Sequence, residues 1–408
     1  MAEEIEIFSL SNGLRGVIRP CSSPVEYCGI AFNVGSRDED ETHEGLAHFV
    51  EHTIFKGTDK RRSTHIINRM ESVGGELNAY TTKEETVVYS IFPAGHLERA
   101  VELIADLVIN SRFPEKELEK EREVVCDEID SYLDVPSEAV FDDFEDIAFR
   151  GSRLGHNILG NRNSVEKLTS QDCRAYLDRF YITSRAAFFY MGPSPADRVR
   201  RIASRYLSAI PENGAEVCRP LPAPTPTFDE TRKIDSHQSH TVIGARIPDM
   251  FSPRRHTVAL LANILGGPGM NSRLNVELRE KRGLVYSVEA SPMTLTDCGL
   301  LTIYFGCDPD DTTKCTRLVQ KEIERMADSC ISQRVLDAMR RQYLGQLAVA
   351  SENHEQFAIN TGRALLYRGH VPSPEEIVGH YMAISPENLR AEAEAIAKGC
   401  SRLTFGPM

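Results

Sequence analysis

Between residues 219 and 227 the chain reads RPLPAPTPT, with proline at every second position from 220 to 226. Each proline holds φ at about −65° and lacks a backbone donor, so neither a helix interior nor a central strand can run through the segment. With Pro211 upstream, the stretch 211–235 reads as an extended and fairly stiff linker. It divides the chain into an expected first domain, 1–210, and a second, 236–408, each long enough to bury a core of its own.

The two parts resemble one another, as an internal duplication would. Each opens with a strand-like run, YCGIAFNV at 27–34 and TVIGARI at 241–247, followed by a helical stretch at 44–55 and at 255–265. Further strands are expected at 85–92 and 300–305, and helices at 97–111 and 312–326. The closing segments correspond as well, ending FFYMGP at 193 and RLTFGP at 407. Strands and helices mix without strict alternation. The expected class is therefore α+β: two similar domains, each a mixed or antiparallel sheet packed with helices.

Composition removes several other classes. Over 408 residues, 41% hydrophobic and 26% charged describes a globular chain, not a collagen-like, disordered or coiled-coil one. A net charge of −13 argues against nucleic acid as a partner. The beginning MAEEIEIFSL is acidic and has the pattern of neither a secretory signal nor a transit peptide. No run of eighteen apolar residues occurs, so no membrane partner is expected. Ten scattered cysteines without a CxxC pair suggest reduced thiols and a cytoplasmic location.

The chemistry is concentrated in EGLAHFVEHTIFKG at 44–57, which sets His48, Glu51 and His52 at i, i+3 and i+4 on one helix face. Two imidazoles one turn apart can chelate a metal through neutral nitrogens, and zinc is the usual choice. The acid between them can reach a metal-bound water without being a ligand. This is the reversed order of the common zinc-protease motif, HxxEH. Zinc requires a third protein ligand. The acidic helix ELEKEREVVCDEIDSY (117–132) offers Glu121 and Glu128, seven apart and sharing a face with Val124 and Val125, while Cys126 turns away as a packed thiol.

Taken together these segments resemble the pitrilysin/insulysin and mitochondrial processing peptidase family of zinc metallopeptidases. GGELNAYTTKEET (74–86) is similar to that family's NA-x-T-x-x-E-x-T segment, SRLNVELREKRGLVYSV (272–288) to its SRL…LRE…GLxY segment, and LGHNILG (154–160) also matches. The resemblance implies one zinc per chain held by His48, His52 and Glu128, with Glu51 as general base and Glu121 orienting a ligand. It implies that Asn78 and Ala79 bind substrate backbone on a sheet edge, and that Arg279 and Tyr286 clamp the substrate and stabilise the tetrahedral oxyanion. The expected substrate is an extended peptide that adds a strand to the sheet near Asn78.

Members of that family close two double domains into a clamshell around a chamber. This chain supplies one half, so the resemblance implies a dimer of the short bacterial processing-peptidase type, with a homodimer expected because the zinc motif and the Arg279/Tyr286 pair stand in one chain. Two alternatives stand beside it: a non-catalytic structural subunit of the same fold, and the zinc-bearing subunit of a heterodimer. LGGPGMNSRL (265–274) lacks the GK[ST] of a phosphate loop and reads as a turn. His237 and His240 have no acid at motif spacing and are expected to be exposed.

Overall fold

The computed structural model describes residues 5–212 and 218–408. Eleven strands lie among these residues: β1 (Glu6–Ser9), β2 (Arg15–Pro20), β3 (Val25–Phe32), β4 (Glu76–Thr81), β5 (Thr86–Pro93), β6 (Ala186–Gly192), β7 (Asp229–Ile234), β8 (Ser239–Ile247), β9 (Val285–Thr294), β10 (Gly299–Cys307) and β11 (Ser401–Pro407). They form a six-stranded sheet in the order β1-β2-β6-β3-β5-β4 and a five-stranded sheet in the order β7-β11-β8-β10-β9. Without β1, the first order becomes the second when each strand number is raised by five. Pairing directions repeat too: β2–β6 and β7–β11 are parallel, and the other pairs antiparallel. The duplication read from the sequence is thus present as a repeated topology, and the class is α+β with two mixed sheets.

Strand interiors follow from composition. β6 (AAFFYMG) and β10 (GLLTIYFGC) are buried at every position, as continuous apolar runs covered on both faces require. β4 and β9 lie at the sheet edges, each paired on one side only among the described residues, and both carry half-buried or exposed positions.

The chain falls into two compact units, and each draws on three segments. The first comprises residues up to Asp130, His156–Arg219 and Ser351–Pro372; the second, Ser131–Gly155, Pro220–Ala350 and Ser373 onward. The exchanged pieces are helical. Helix Pro136–Ala148 buries Ala139, Val140, Phe144 and Ile147 with Val242, Leu300 and Leu403 of the second sheet. Helix His354–Arg368 buries Ala358, Ile359, Leu365 and Leu366 with Val17, Ala31, Phe189 and Met191 of the first. The expected cut into 1–210 and 236–408 runs across this exchange. The cause is that a sheet with two apolar faces must cover both.

The linker also needs correction. Of the stretch 211–235, residues 213–217 lie outside the described residues, and the proline alternation up to Pro226 is irregular as expected. Asp229–Ile234, however, forms β7 alongside β11. No proline follows 226 in the stretch, so nothing removes backbone donors there.

The packing of helix His354–Arg368 on the first sheet turns on Gly362. A Cβ at that position would stand 2.5 Å from Cδ1 of Phe189, 2.9 Å from its Cγ and 3.1 Å from its Cβ. Phe189 is itself fully buried and has no room to yield. Gly362→Ala gains about 1 kcal/mol of helix propensity but forces an overlap costing roughly 1–3 kcal/mol. The variant is expected to unfold at lower urea concentration than the parent; a midpoint at or above the parental one would show that the helix is not seated against this ring.

Candidate metal centre

The helix Leu46–Thr53 is one residue short of two and a half turns and begins at Gly45 in the left-handed region, φ 89°. Leu46, Ala47, His48, Phe49, Val50 and Thr53 are buried, so only one narrow face remains for chemistry. On it His48 and His52 stand one turn apart, ring centroids 4.4 Å from each other at an interplanar angle of 59°. The second contributor is helix Glu115–Leu133, seated by Leu118, Val125, Cys126 and Ile129. Cys126 packs in the core as expected, whereas Val124 is 50% exposed and takes no part in that face. The site face is narrower than the sequence spacing implied, with Val124 on its solvent flank.

Glu128 reaches back toward both imidazoles. Its Oε2 lies 3.8 Å from His48 Nε2 and 3.6 Å from His52 Nε2. One ligand atom from each of His48, His52 and Glu128 can be chosen so that all three fall within 4.8 Å of one another. A buried nitrogen of His48, Nδ1, finds no hydrogen-bond partner among the described residues. Two imidazole nitrogens and a carboxylate facing a common point form a three-ligand zinc set with a fourth position left for water. The residues present fit that metal.

Glu121 does not join them. Its Oε1 is 3.0 Å from His52 Nδ1, and its Oε2 is 2.6 Å from Lys56 Nζ. It therefore fixes the His52 ring by the nitrogen remote from Glu128, which leaves Nε2 aimed at the common point. Lys56, which the sequence reading passed over, supplies the cation that such a buried carboxylate requires. Its place one turn beyond His52 on the same segment was the available signal.

The two imidazoles are driven in opposite directions. Burial, reinforced by His52, pushes His48 down to about 3. Burial also pulls on His52, but the hydrogen bond to Glu121 and the carboxylates of Glu51, Glu128 and Glu121 outweigh it, and its pKa is raised. Burial opposes ionisation of Glu121 as well, yet its bonds to His52 and Lys56 prevail and lower it. Burial raises the carboxyl of Glu51, against the opposing pull of His52 and Thr81. Thr81 closes edge strand β4, against which the helix carrying Glu51 packs.

Asn78 and Ala79 lie on β4, opposite Tyr89 and Val88 of β5. The structure thus brings seven of the nine expected residues into the first unit. Arg279 and Tyr286 belong to the second unit. There Arg279 sits on the π-helical segment Asn275–Glu280 and Tyr286 on edge strand β9. The guanidinium carbon is 5.9 Å from the tyrosine ring centre, and Tyr286 is 86% exposed. The pair lines a cavity of about 390 Å³ together with Gly266, Gly267 and Asn275, so the glycine-rich turn borders the Tyr286 side chain. His240 departs from expectation: it is buried on β8, with Nδ1 2.9 Å from the Tyr304 hydroxyl. Strand position overrode its nearness to the linker.

With that geometry in hand, the comparisons are specific. A family model described as insulinase (peptidase family M16) matches residues 21–162, and one described as the peptidase M16 inactive domain matches 167–343. A protein of Rickettsia bellii named as an uncharacterized zinc protease is 31% identical over 411 residues, spanning 100% of this chain and 98% of its own. The zinc protease YmxG of Bacillus subtilis, named as uncharacterized, is 28% identical, covering 96% and 95%. Among solved structures, a protease from Helicobacter pylori superposes with a TM-score of 0.91 at 19% identity, over 100% of both chains. No helix among the described residues is long and apolar enough to cross a membrane.

The opposed imidazoles make metal uptake a protonic event. His48 is already neutral at pH 7 and releases nothing, whereas His52 holds a proton more firmly than an ordinary histidine and must lose it to ligate. Calorimetric titration of zinc into the metal-free protein, in buffers of differing ionisation enthalpy, is expected to show more proton release near neutral pH than an ordinary histidine would give. Affinity should weaken by about tenfold per pH unit once pH falls below the raised His52 pKa. Glu121→Gln removes the charge that raises His52 and should reduce the release. Unchanged proton release in that variant would refute the assignment.

Proposed function

Because the chain belongs to the insulinase family, peptidase family M16, we propose that it is a zinc-dependent endopeptidase that cleaves short or unfolded peptides in an enclosed dimer. The observation that carries this reading is the convergence of His48, His52 and Glu128 ligand atoms within 4.8 Å. An intact donor set argues against a purely structural subunit, which has no use for one.

Zinc held there by His48, His52 and Glu128 would supply Lewis acidity and lower the pKa of a bound water. The chain's own groups do the rest. Glu51, one residue from His52 on the helix that packs against β4, accepts the proton of the attacking water and hands it to the departing amine. Its raised pKa suits the second transfer. The free edge of β4 receives the peptide as an added strand, with Asn78 and Ala79 reading main chain rather than side chains. Tyr286 donates to the carbonyl oxygen as it gains charge, and Arg279 holds the peptide beside it. Their exposure and the adjoining cavity support a surface that meets substrate.

In this reading the chain works as a homodimer with one zinc in each chain, and the Arg279/Tyr286 clamp at each zinc comes from the other subunit. Glu51→Gln is expected to bind zinc as the parent does and to lose turnover of a quenched peptide by several orders of magnitude, since the base is not a ligand. Parental turnover by this variant would overturn the role given to Glu51. Mixing Glu51→Gln with Tyr286→Phe subunits tests the sharing. Random exchange at equal amounts restores about a quarter of parental activity, because half the dimers are mixed and one of two sites in each is intact. A mixture as inactive as its components, with exchange verified, shows that each chain builds its own site.

A further inference from the structure

The segment LGHNILG has no part in the chemistry above, yet it lies against the start of the metal-holding helix. Glu39 is buried beneath that start, its side chain wholly shielded from solvent. Its Oε2 accepts a hydrogen bond from the Gly45 amide at 2.9 Å and its Oε1 one from the Ala47 amide at 2.6 Å. A carboxylate at this place satisfies amides that the helix cannot and complements the positive end of its dipole. His48 is the next residue after Ala47. Glu39 also meets His156, whose Nε2 stands 2.9 Å from Oε2 and whose side chain is only 10% exposed.

The two segments also meet backbone to backbone at Gly45 and Gly160. A Cβ on Gly45 would stand 2.5 Å from the Leu159 carbonyl oxygen, and one on Gly160 would stand 2.3 Å from that of Glu44. Both glycines have positive φ, 89° and 72°. Ser164 donates to the same Glu44 carbonyl at 2.7 Å. The main chain of His156 faces a different element. Its carbonyl accepts from Lys83 Nζ at 2.6 Å, and Lys83 is buried in the turn that joins β4 to β5. That turn is further tied by the Arg37 amide, which donates to the Lys83 carbonyl at 2.8 Å.

We propose that His156 is a positioning residue for the peptidase site: through Glu39 its imidazole fixes the helix of His48 and His52, and through Lys83 its carbonyl fixes the edge strand that receives substrate. One residue thereby registers the metal against the peptide. The proposal rests on the peptidase reading for the purpose of the register, but its geometry and its first test do not require activity. A buried pair serving stability alone would predict a lower unfolding temperature and an unchanged metal site.

The experiment compares His156→Gln, which keeps a donor for Glu39, with His156→Leu, which does not. Zinc affinity is read by competition with a chromophoric chelator, and ligand geometry by the visible spectrum of the cobalt-substituted protein. His156→Leu is expected to bind zinc about tenfold or more weakly than the parent, with an altered cobalt spectrum; His156→Gln should resemble the parent in both. Parental affinity and spectrum in His156→Leu overturn the proposal, and so does a loss in His156→Gln equal to that in His156→Leu. Should His156→Leu fail to fold, Glu39→Gln decides, since it exchanges one amide acceptor for a donor: zinc binding within twofold of the parent overturns the proposal. Lys83→Met addresses the other arm and is expected to raise KM for peptide while sparing zinc affinity; unchanged KM removes the coupling to β4. A parental protein that binds zinc yet cleaves no peptide would refute the peptidase reading instead, leaving the zinc measurements to judge His156.

Discussion

An α-helix of eight residues does not sustain itself in water, because its few internal hydrogen bonds hardly exceed the entropy lost in forming the first turn. The helix Leu46–Thr53 is of that length, and the first unit is organised around keeping it in place. Phe49 and Val50 are wholly buried in the main core cluster. Thr53 turns its hydroxyl back onto the Phe49 carbonyl at 2.6 Å, and helix Ser170–Phe180 packs alongside. Glu39 closes the other end. A metal site needs ligands held to a fraction of an ångström, and here that precision comes from packing rather than from the helix itself.

Electrostatics then divides labour between two chemically identical rings. Burial alone would make both imidazoles neutral. Glu121 breaks the equivalence by accepting from His52 while Lys56 balances its charge. One ring is pushed toward the neutral form that ligates, and the other is drawn toward its protonated form. Like charge is kept low by the same means. Three carboxylates approach the site, but Glu121 is neutralised by neighbours and Glu51 is biased toward its protonated form.

What could be read from the sequence was what is local. His48, Glu51 and His52 are fixed by helical spacing alone, and the repeated order of strands and helices gave the class and the duplication. Glu128 lies on another helix, and spacing offered Glu121 as an equal candidate; the resemblance to a known family separated them, and the geometry agrees that Glu128, not Glu121, faces both Nε2 atoms. The less legible features are all tertiary. Val124 is turned outward by the way its helix seats. His240 is covered because β8 is a central strand. Asp229–Ile234 alternates exposed and half-buried positions and looks like linker until β11 arrives beside it. Glu39 and His156 stand 117 residues apart, with nothing in either neighbourhood to announce the other.

The exchange of helices between the two units has a bearing on biogenesis. All six strands of the first sheet have been synthesised by Gly192, yet the face bearing Val17, Ala31, Phe189 and Met191 has no cover until Ser351–Pro372 emerges from the ribosome. Helix Pro136–Ala148 waits longer, since part of its apolar seat is β11, which follows the other ten described strands. β11 is no trailing edge either: it enters between β7 and β8. A nascent chain therefore carries an uncovered apolar sheet for roughly 160 residues of elongation, about 8–32 s at rates of about 5–20 residues per second. During that interval the growing polypeptide exposes an apolar face that only a later segment can cover, and the collapse of the second sheet is deferred until β11 has been made.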